Sequence, residues 1–337
     1  MNYPIFTATG LGLKSHTIHP SVVYVPNGWN GHTYWMAETP MPPFRCKPYR
    51  DRYELPTILF SDDGLSWQSV SNNPIDNLTD AQIVDKAYLS DTHLILVNNR
   101  LECYYRLCEH QDKHTIIYRK TSTDGYHWSE RETIADNKDK DIFGKEIISP
   151  AIVCRADKYQ MFYVDDMPGH IERGIRMAES NDNIRWGISR KVSLTSRDLE
   201  YSGTEPSKPW HIDVQFYNNQ YHLLIYDFER HLTYWVSNDG LHFIFIQKIL
   251  EPSHKKGDFF SNGLYRGCMI WKNGQMSVYF SAIKGYSCIG LLQVNKNQSV
   301  TILDGCHGKE KIWHWGRVLY APIHHIYRYL CKKLHLL

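Results

Sequence analysis

Ser61-Asp62-Asp63-Gly64-Leu65-Ser66-Trp67 is the stretch that decides the fold, because it returns three times along the chain. The copies are STDGYHW from Ser122, SNDNIRW from Ser180 and SNDGLHF from Ser237, so successive serines lie 61, 58 and 57 residues apart. Asp followed by Gly or Asn between two apolar runs is typical of a tight hairpin turn with a residue at positive φ. We interpret the motif as a fold-building turn and not as a catalytic site. A turn that repeats at a nearly fixed period indicates a repeat architecture.

Each turn joins the last two of four strand-like runs, and the runs open near His19, Ile83, Ile148 and Trp210. A fifth unit opens at Leu264, keeps the strands and lacks the turn motif. Five units of four strands predict an all-β, five-bladed β-propeller over residues 1–303. The outer strand of the fifth unit comes either from residues 299–303 or from the N-terminal residues 4–13.

The last segment, residues 304–337, differs from the repeats in its periodicity. Apolar residues fall on one helical stripe, which predicts a short amphipathic helix: Leu319, Ile323, Ile326, Leu330, Leu334 and Leu337. Basic residues lie largely off the stripe, and Trp313 and Trp315 lie just before it. Such a tail either contacts an anionic membrane surface or docks on the propeller or a second copy of it.

Composition limits the class of protein and its partners. The chain has 337 residues and a net charge of +2, which gives no general attraction to nucleic acid. Its eight cysteines are scattered without a CxxC pair, and no signal peptide is recognisable at the start. These features predict a cytoplasmic protein, with the tail allowing a peripheral position on the inner face of the membrane.

In a propeller, the first strand of each blade lines the central channel, so polar residues at the blade openings should converge at one mouth. These residues are His19, Asp85, Ser149, His211 with Asp213, and Arg266. They recur at nearly the blade period. Carboxylates among histidine and arginine are what a sugar pocket needs, because they bind hydroxyl groups or act as acid and base on a glycosidic bond.

We therefore predict Asp85 and Asp213 as essential carboxylates, with His19 and His211 as acid/base groups or substrate donors. Glu146, just before the third blade, is a further candidate acid. Residues predicted to bind substrate from the openings and the rim are Glu54, Arg106, Ser149, Asp165, Trp210, Arg266 and Trp35. The alternative for a strand aromatic is a place in the core, and the alternative for a lone aspartate is a bond to neighbouring backbone.

No motif for an organic cofactor is present, and we predict neither a cofactor nor a metal site. His19, His211 and Asp213 are the set that leaves a divalent cation open as an alternative.

At the repeated turns and at openings such as His19-Pro20-Ser21-Val22 and Ser149-Pro150-Ala151-Ile152, residues 16–295 resemble the five-bladed propeller glycosidases. These are glycoside hydrolase families 32, 43, 62 and 68, with 117 and 130 as relatives. The resemblance implies an Asp, a second Asp and a Glu on the first three blades. At the positions carried over, this chain has His19, Asp85 and Ser149, so one of the three matches.

The resemblance implies an enzyme that acts on a glycosidic bond of a cell-surface polysaccharide or its precursor, which could be lipid-linked. Two of the three expected acids are replaced in this chain. One alternative is that Glu146 acts as the acid, and the other is that His19, His211 and Asp213 form a different catalytic group. The alternatives are a non-catalytic carbohydrate-binding propeller and a glycosyl-transferring enzyme on the same fold.

Overall fold

The structure, a computed structural model, describes residues 3–7, 16–41, 54–109, 114–156, 158–166, 173–196, 208–227, 231–255, 258–283 and 287–305. Within these ranges the chain forms twenty-one strands and two short helices, in agreement with the predicted all-β class.

The strands form five antiparallel blades, and two of the blades are joined at their outer edges. Blade 1 contains β1 (Phe6–Thr7), β2 (Thr17–Trp29), β3 (His32–Pro40), β4 (Thr57–Ser61) and β5 (Ser66–Ser69). Blade 2 follows helix α1 (Asp80–Val84) and contains β6 (Tyr88–Val97), β7 (Arg100–Glu109), β8 (His114–Ser122) and β9 (Glu132–Asp136). Blade 3 follows helix α2 (Lys140–Phe143) and contains β10 (Ile148–Arg155), β11 (Lys158–Asp166), β12 (Arg173–Ser180) and β13 (Arg190–Thr195). Blade 4 contains β14 (Pro209–Tyr217), β15 (Gln220–Asp227), β16 (Leu232–Ser237) and β17 (His242–Leu250), and blade 5 contains β18 (Leu264–Lys272), β19 (Gln275–Ala282), β20 (Cys288–Val294) and β21 (Val300–Leu303).

The inner strands close into a ring, which confirms the predicted five-bladed propeller. Strands β2, β6, β10, β14 and β18 contact one another in that order, and β18 contacts β2 again. The N-terminal strand β1 pairs in parallel with β5 of blade 1, and the Ile5 N–H donates to the Ile289 carbonyl of blade 5 at 2.9 Å. The outer strand of blade 5 is β21, so residues 299–303 and not the N-terminus complete that blade.

The serine and the aspartate of the repeated motif hold each turn. In the first copy, Asp63 Oδ1 accepts the Leu65 N–H at 2.7 Å, and Ser61 Oγ accepts the Gly64 N–H at 3.0 Å. Gly64 has a φ of +75°. The same contacts recur in the second and fourth copies. The motif is therefore a structural turn, as the sequence predicted.

Each of these turns also packs against an aromatic side chain of the preceding blade. The Gly64 turn of blade 1 lies on Tyr279 of blade 5, whose hydroxyl donates to the Gly64 carbonyl at 3.1 Å. The Gly125 turn of blade 2 lies on the Trp35 ring of blade 1. Because both aromatic residues come from the second strand of their blade, the motif fixes the spacing between neighbouring blades.

Asn183 in blade 3 stands where the other copies have glycine. Its φ is +61°, a conformation that asparagine tolerates better than most residues. Its side-chain amide donates to the Tyr104 hydroxyl of blade 2 and to Glu102 Oε2 at 3.3 Å. This turn therefore contacts the same part of the preceding blade through hydrogen bonds.

The start of blade 2 differs from the sequence-based interpretation. Residues 83–85, predicted to open the blade, form the end of α1 and its C-cap. Thr79 caps the N-terminus of this helix in a reciprocal capping box with Gln82, and this pairing favours a helix over a strand. The first strand of the blade begins at Tyr88.

The predicted C-terminal helix lies in residues 306–337, outside the described residues, and stays a prediction together with the domain boundary. Strand β21 ends at Leu303. In the part of the chain that is described, no helix has the length and apolar content needed to cross a bilayer.

Gly125→Ala tests the docking of a turn on the preceding blade. We expect it to lower the free energy of unfolding by about 3 kcal/mol, because alanine at positive φ costs about 1 kcal/mol and the added Cβ overlaps the Trp35 ring. Gly31→Ala is the matched control, since Gly31 has a φ of +85° and nothing lies within 4 Å of an added Cβ. Chemical denaturation measures both variants, and equal losses would contradict the docking role.

Candidate functional site

All five inner strands have an irregularity in their pairing near their N-terminal ends. The register shifts lie between Ile18 and Ser21, Ser90 and His93, Ile148 and Ala151, Pro209 and His211, and Leu264 and Gly267. At the first three shifts, His19, Asp91 and Ser149 have left-handed φ values of 58°, 55° and 53°. Left-handed φ values are uncommon in residues other than glycine, and residues that have them cluster at functional sites. A bulge also changes the direction in which a side chain points.

His19, Asp91 and His211 form a buried cluster at this end of the channel, which we call the His-Asp-His cluster. One ligand-type atom from each residue lies within 4.8 Å of the other two. Asp91 Oδ1 is 3.4 Å from His19 Nε2 and 3.3 Å from His211 Nδ1. Among the described residues, none of these three atoms has a hydrogen-bond partner. Because buried polar atoms are normally paired, three unpaired atoms that face one another indicate a ligand site.

The second oxygen of Asp91 is held by its own blade and by the next one. Arg106 Nε lies 2.9 Å from Asp91 Oδ2, and the Ser149 N–H donates to the same oxygen at 3.1 Å. The Ser149 hydroxyl is in turn hydrogen-bonded to the backbone of Ile212. The carboxylate is thus oriented with one oxygen bound by protein groups and the other facing two imidazoles, which is how outer contacts orient a metal ligand.

The imidazoles are oriented by polar and aromatic neighbours. His19 Nδ1 lies 2.8 Å from Thr39 Oγ1, and with Nδ1 as donor its Nε2 keeps a lone pair for a ligand. The Tyr265 ring packs against His211 and His19, at centroid distances of 4.3 and 5.4 Å. Trp210 contacts His211 at 5.7 Å and donates from Nε1 to the Tyr265 hydroxyl at 3.1 Å.

The electrostatics keep both imidazoles neutral and the carboxylate charged. Burial, assisted by the Arg266 and Arg106 guanidiniums, lowers the pKa of His19 to about 3, although Asp91 opposes this. Burial likewise lowers the pKa of His211. Burial would raise the pKa of Asp91, but Arg106 and the other cluster neighbours outweigh it and hold that pKa below its usual range. Neutral imidazole and ionised carboxylate are the forms that bind metal ions.

Two ring nitrogens and one carboxylate oxygen are a donor set for a divalent transition-metal ion, with room for further ligands. The sequence-based alternative placed Asp213 beside the two histidines. The structure places Asp91 there instead, so the candidate set is His19, Asp91 and His211.

Asp213 ties two blades together and lies outside the His-Asp-His cluster. Its Oδ2 accepts the Met269 N–H of blade 5 at 2.8 Å, and its Oδ1 is 3.7 Å from His93 Nδ1. Ser21 Oγ of blade 1 likewise accepts a backbone N–H of the next blade, that of Leu94, at 2.8 Å. Asp213 thus accepts a backbone hydrogen bond from the next blade, a type of contact that recurs in the propeller and that we call an inter-blade tie.

Asp85 and Trp35 are also placed away from the cluster. Asp85 is the C-cap of α1, because the capped helix delays the first strand of blade 2. Trp35 is fully buried between blades 1 and 2, where its Nε1–H donates to the Trp29 carbonyl at 3.1 Å. The structure thus places Trp35 in the core, the alternative given for a strand aromatic.

Asp165 and Glu146 are hydrogen-bonded to each other and are not part of the cluster. Asp165 is 1% exposed, accepts the backbone N–H of Glu146 at 3.1 Å and pairs with Arg176 at 2.6 Å. Asp165 is thus used to hold the segment that leads into β10. Glu146 is half-buried on that segment, and its role as an acid stays a prediction.

Arg266 and Glu54, two predicted substrate-binding residues, lie beside the cluster. Arg266 is fully buried, with Nη2 3.4 Å from the Pro150 carbonyl. Glu54 is 7% exposed. The Glu54 carbonyl accepts the Leu89 N–H at 3.1 Å, two residues before Asp91 on the same strand. Burial, then Asp91 and Glu54, raise the pKa of the Tyr265 hydroxyl above its usual range.

Asp91 is the cluster residue that the sequence reasoning missed. The prediction chose Asp85 because it lies at nearly even intervals between the neighbouring blade openings. A local signal was available, since the turns of blades 2 and 3 are 58 residues apart and Asp91 lies 58 residues before Ser149.

No family model matches the chain. A curated protein, the A type blood N-acetyl-alpha-D-galactosamine deacetylase of Flavonifractor plautii, is 24% identical over 251 residues, or 64% of this chain. The chain spans about a third of the length of that relative, 31%.

Solved structures with the same fold include an N-acetylgalactosamine deacetylase from F. plautii in complex with blood group B trisaccharide. It has a TM-score of 0.67 and 20% identity, and the match covers 84% of each chain. RS223-Beta-xylosidase has a TM-score of 0.60 and 11% identity over 86% of this chain and 96% of its own. The GH43_1 enzyme from Xanthomonas citri complexed with xylotriose has a TM-score of 0.61 and 13% identity over 90% and 95%. The predicted resemblance to the five-bladed propeller glycosidases is confirmed at the level of the fold.

Asp213→Ala tests the inter-blade tie. We expect it to lower the free energy of unfolding by about 2 kcal/mol, because the buried Met269 N–H loses its acceptor. Asp213→Asn keeps an acceptor oxygen and should lose less. Chemical denaturation compares the two, and wild-type stability in both variants would show that the tie is not needed.

Proposed function

We propose that this protein is a divalent-cation-dependent carbohydrate deacetylase, which hydrolyses the N-acetyl amide of an amino sugar. The observation that carries the proposal is the His-Asp-His cluster, in which three buried ligand atoms without a described partner face one another. The F. plautii deacetylase supports this choice of bond, because it is similar to the chain in sequence and in fold. The names of the relatives, deacetylase and xylosidase, favour a carbohydrate-active enzyme over a binding propeller.

The arrangement of the cluster weighs against hydrolysis of a glycosidic bond, the activity that the resemblance first implied. The bulge positions of blades 1 to 3, where the related glycosidases are expected to hold three acids, carry His19, Asp91 and Ser149. The cluster thus has one carboxylate, whereas most glycosidases use two.

The groups that would hold the cation are His19 Nε2, Asp91 Oδ1 and a ring nitrogen of His211. When bound, a divalent cation polarises a carbonyl oxygen and lowers the pKa of a coordinated water molecule. Three nitrogen and oxygen ligands from the protein, with a further position open, are typical of catalytic zinc. Arg106 and Ser149 contribute by orienting Asp91.

Amide hydrolysis also needs a group that moves a proton, and Glu54 is the candidate. It is buried, and its backbone is hydrogen-bonded to Leu89, two residues before Asp91 on the strand that carries the cluster carboxylate. Glu54 accepts a proton from the attacking water and returns it to the departing nitrogen. The water oxygen joins the acyl carbon, the C–N bond breaks, and the products are acetate and the free amine of the sugar.

The partner that we propose is an oligosaccharide or polysaccharide that contains an N-acetylated amino sugar. A lipid-linked substrate, a cytoplasmic location and contact of the tail with a membrane stay predictions from the sequence.

Metal and product analysis test the proposal. We expect about one Zn²⁺ or similar ion per chain by mass spectrometry, and release of acetate from a panel of N-acetylated oligosaccharides that stops with a chelator. Asp91→Asn should bind the ion much more weakly and lower turnover at least about 100-fold. Asp85→Asn separates the two assignments, because it should change neither result. Release of a reducing sugar without acetate would contradict the proposed activity.

Glu54→Gln tests the proton-transfer role. We expect the metal content to be unchanged and turnover to fall by about 10² to 10⁴-fold, the usual contribution of a general base. The matched control is Glu132→Gln, which alters a half-exposed carboxylate paired with Arg119 on the outer strand of blade 2. A Glu54→Gln enzyme with wild-type turnover would assign proton transfer to another group.

A further inference from the structure

The Tyr265 hydroxyl has a donor on one side and no described acceptor for its own hydrogen. Trp210 Nε1–H donates to the Tyr265 oxygen at 3.1 Å. An indole nitrogen can only donate, so the tyrosine oxygen is the acceptor of this bond and its O–H hydrogen points elsewhere. Among the residues that the structure describes, Tyr265 makes no further hydrogen bond. The geometry therefore leaves one oriented donor free at the site.

The ring that carries this donor lies beside the candidate cation site. The Tyr265 ring contacts His211 at a centroid distance of 4.3 Å and His19 at 5.4 Å. Tyr265 lies within the register shift of blade 5, between Leu264 and Gly267, at the same level as the bulges that carry the cluster residues. Both the aromatic contacts and the bond from Trp210 hold the phenol in one orientation.

We propose that Tyr265 is a further catalytic residue, whose hydroxyl donates a hydrogen bond to the acyl oxygen of the substrate as that oxygen becomes negatively charged. The inference rests on the proposed function and adds a role that the cluster does not supply. An oriented donor in a water-poor site stabilises the transition state more than the ground state, and removal of one such donor lowers kcat about 10² to 10³-fold.

Two of the other donors around the cluster are used by protein groups. Arg106 is paired with Asp91, and Trp210 Nε1–H is used by Tyr265. Arg266 is fully buried, and its Nη2 contacts the Pro150 carbonyl, whereas its Nε and Nη1 have no hydrogen-bond partner among the described residues. Tyr265 is half-buried whereas Arg266 is fully buried, so of these two side chains Tyr265 is the more accessible to a ligand.

The step balances without any further reactant. The oxygen of water bonds to the acyl carbon, the electron pair of the C=O bond moves to the acyl oxygen, and Tyr265 donates its hydrogen bond to that oxygen. When the C=O bond re-forms, the C–N bond breaks and the nitrogen leaves with a proton. Tyr265 keeps its own proton throughout and acts as a donor, while Glu54 carries the proton.

Tyr265→Phe is the direct test, because phenylalanine keeps the ring against both histidines and removes only the hydroxyl. We expect unchanged metal content, a fall in kcat of about 10² to 10³-fold and a KM within about threefold of wild type. The matched control is Tyr221→Phe, which removes a buried hydroxyl bonded to Gln160 at 2.7 Å, away from the cluster. This control should keep wild-type kcat.

A second readout does not depend on turnover. Methylphosphonate is a tetrahedral anion that imitates the charged intermediate, and its binding to Co²⁺-loaded protein is measured from the visible spectrum. Tyr265→Phe should weaken this binding at least about tenfold and weaken the binding of planar acetate less.

The outcomes separate the two proposals. If Tyr265→Phe keeps wild-type kcat and methylphosphonate affinity, the role of Tyr265 is wrong while the proposed function stands. Loss of metal in Tyr265→Phe would also overturn the role, because it would show that the residue supports the cluster structurally. If the wild-type protein binds no divalent cation and releases no acetate, the proposed function fails and the role of Tyr265 fails with it.

Discussion

The contact between each turn and the preceding blade is the interaction on which the rest of the structure depends. A propeller has no central element, so its blades keep their positions only through the contacts between neighbours. The Gly64 turn contacts Tyr279 across the seam where the last blade meets the first. A residue at positive φ without a side chain lets an aromatic ring approach the backbone, which explains why Asp-Gly recurs at the blade period. Where Asn183 replaces glycine, a hydrogen bond to Tyr104 takes over the contact.

With the blades in place, the inner strands meet around the channel, and their bulges determine which side chains face it. His19, Asp91 and Ser149 adopt left-handed φ values that cost about 1–2 kcal/mol each outside glycine. Such strain persists only where the surroundings hold it. The holding contacts come from neighbouring blades, since Asp91 accepts the Ser149 N–H of blade 3 and Ser281 of blade 5 accepts the His19 N–H. The site and the closure of the ring are therefore mutually dependent.

One fold can support different chemistry when the residues at a few bulges change. In this chain the bulge of blade 1 has a neutral imidazole, His19, and the bulge of blade 3 has the hydroxyl of Ser149, which serves to hold Asp91. Blade 4 adds a second imidazole, His211, directly opposite the same carboxylate oxygen. Replacing acids by imidazoles lowers the negative charge of the mouth and creates a donor set for a cation, and this is why we favour amide hydrolysis over glycoside hydrolysis.

The sequence by itself determined the number of blades, the turns and most of the polar residues at the blade openings, because a repeated turn is a local pattern with a fixed period. It correctly placed His19, Ser149 and His211 at one mouth. Only the tertiary structure showed that Asp91, and not Asp85, lies beside the two histidines. Only the tertiary structure showed that Asp213 holds two blades together instead of lying in the cluster. The physical reason is that periodicity locates a strand, whereas a single extra residue at a bulge reverses the direction of the side chains that follow. A capped helix before blade 2 added a further shift, which no average repeat length could reveal.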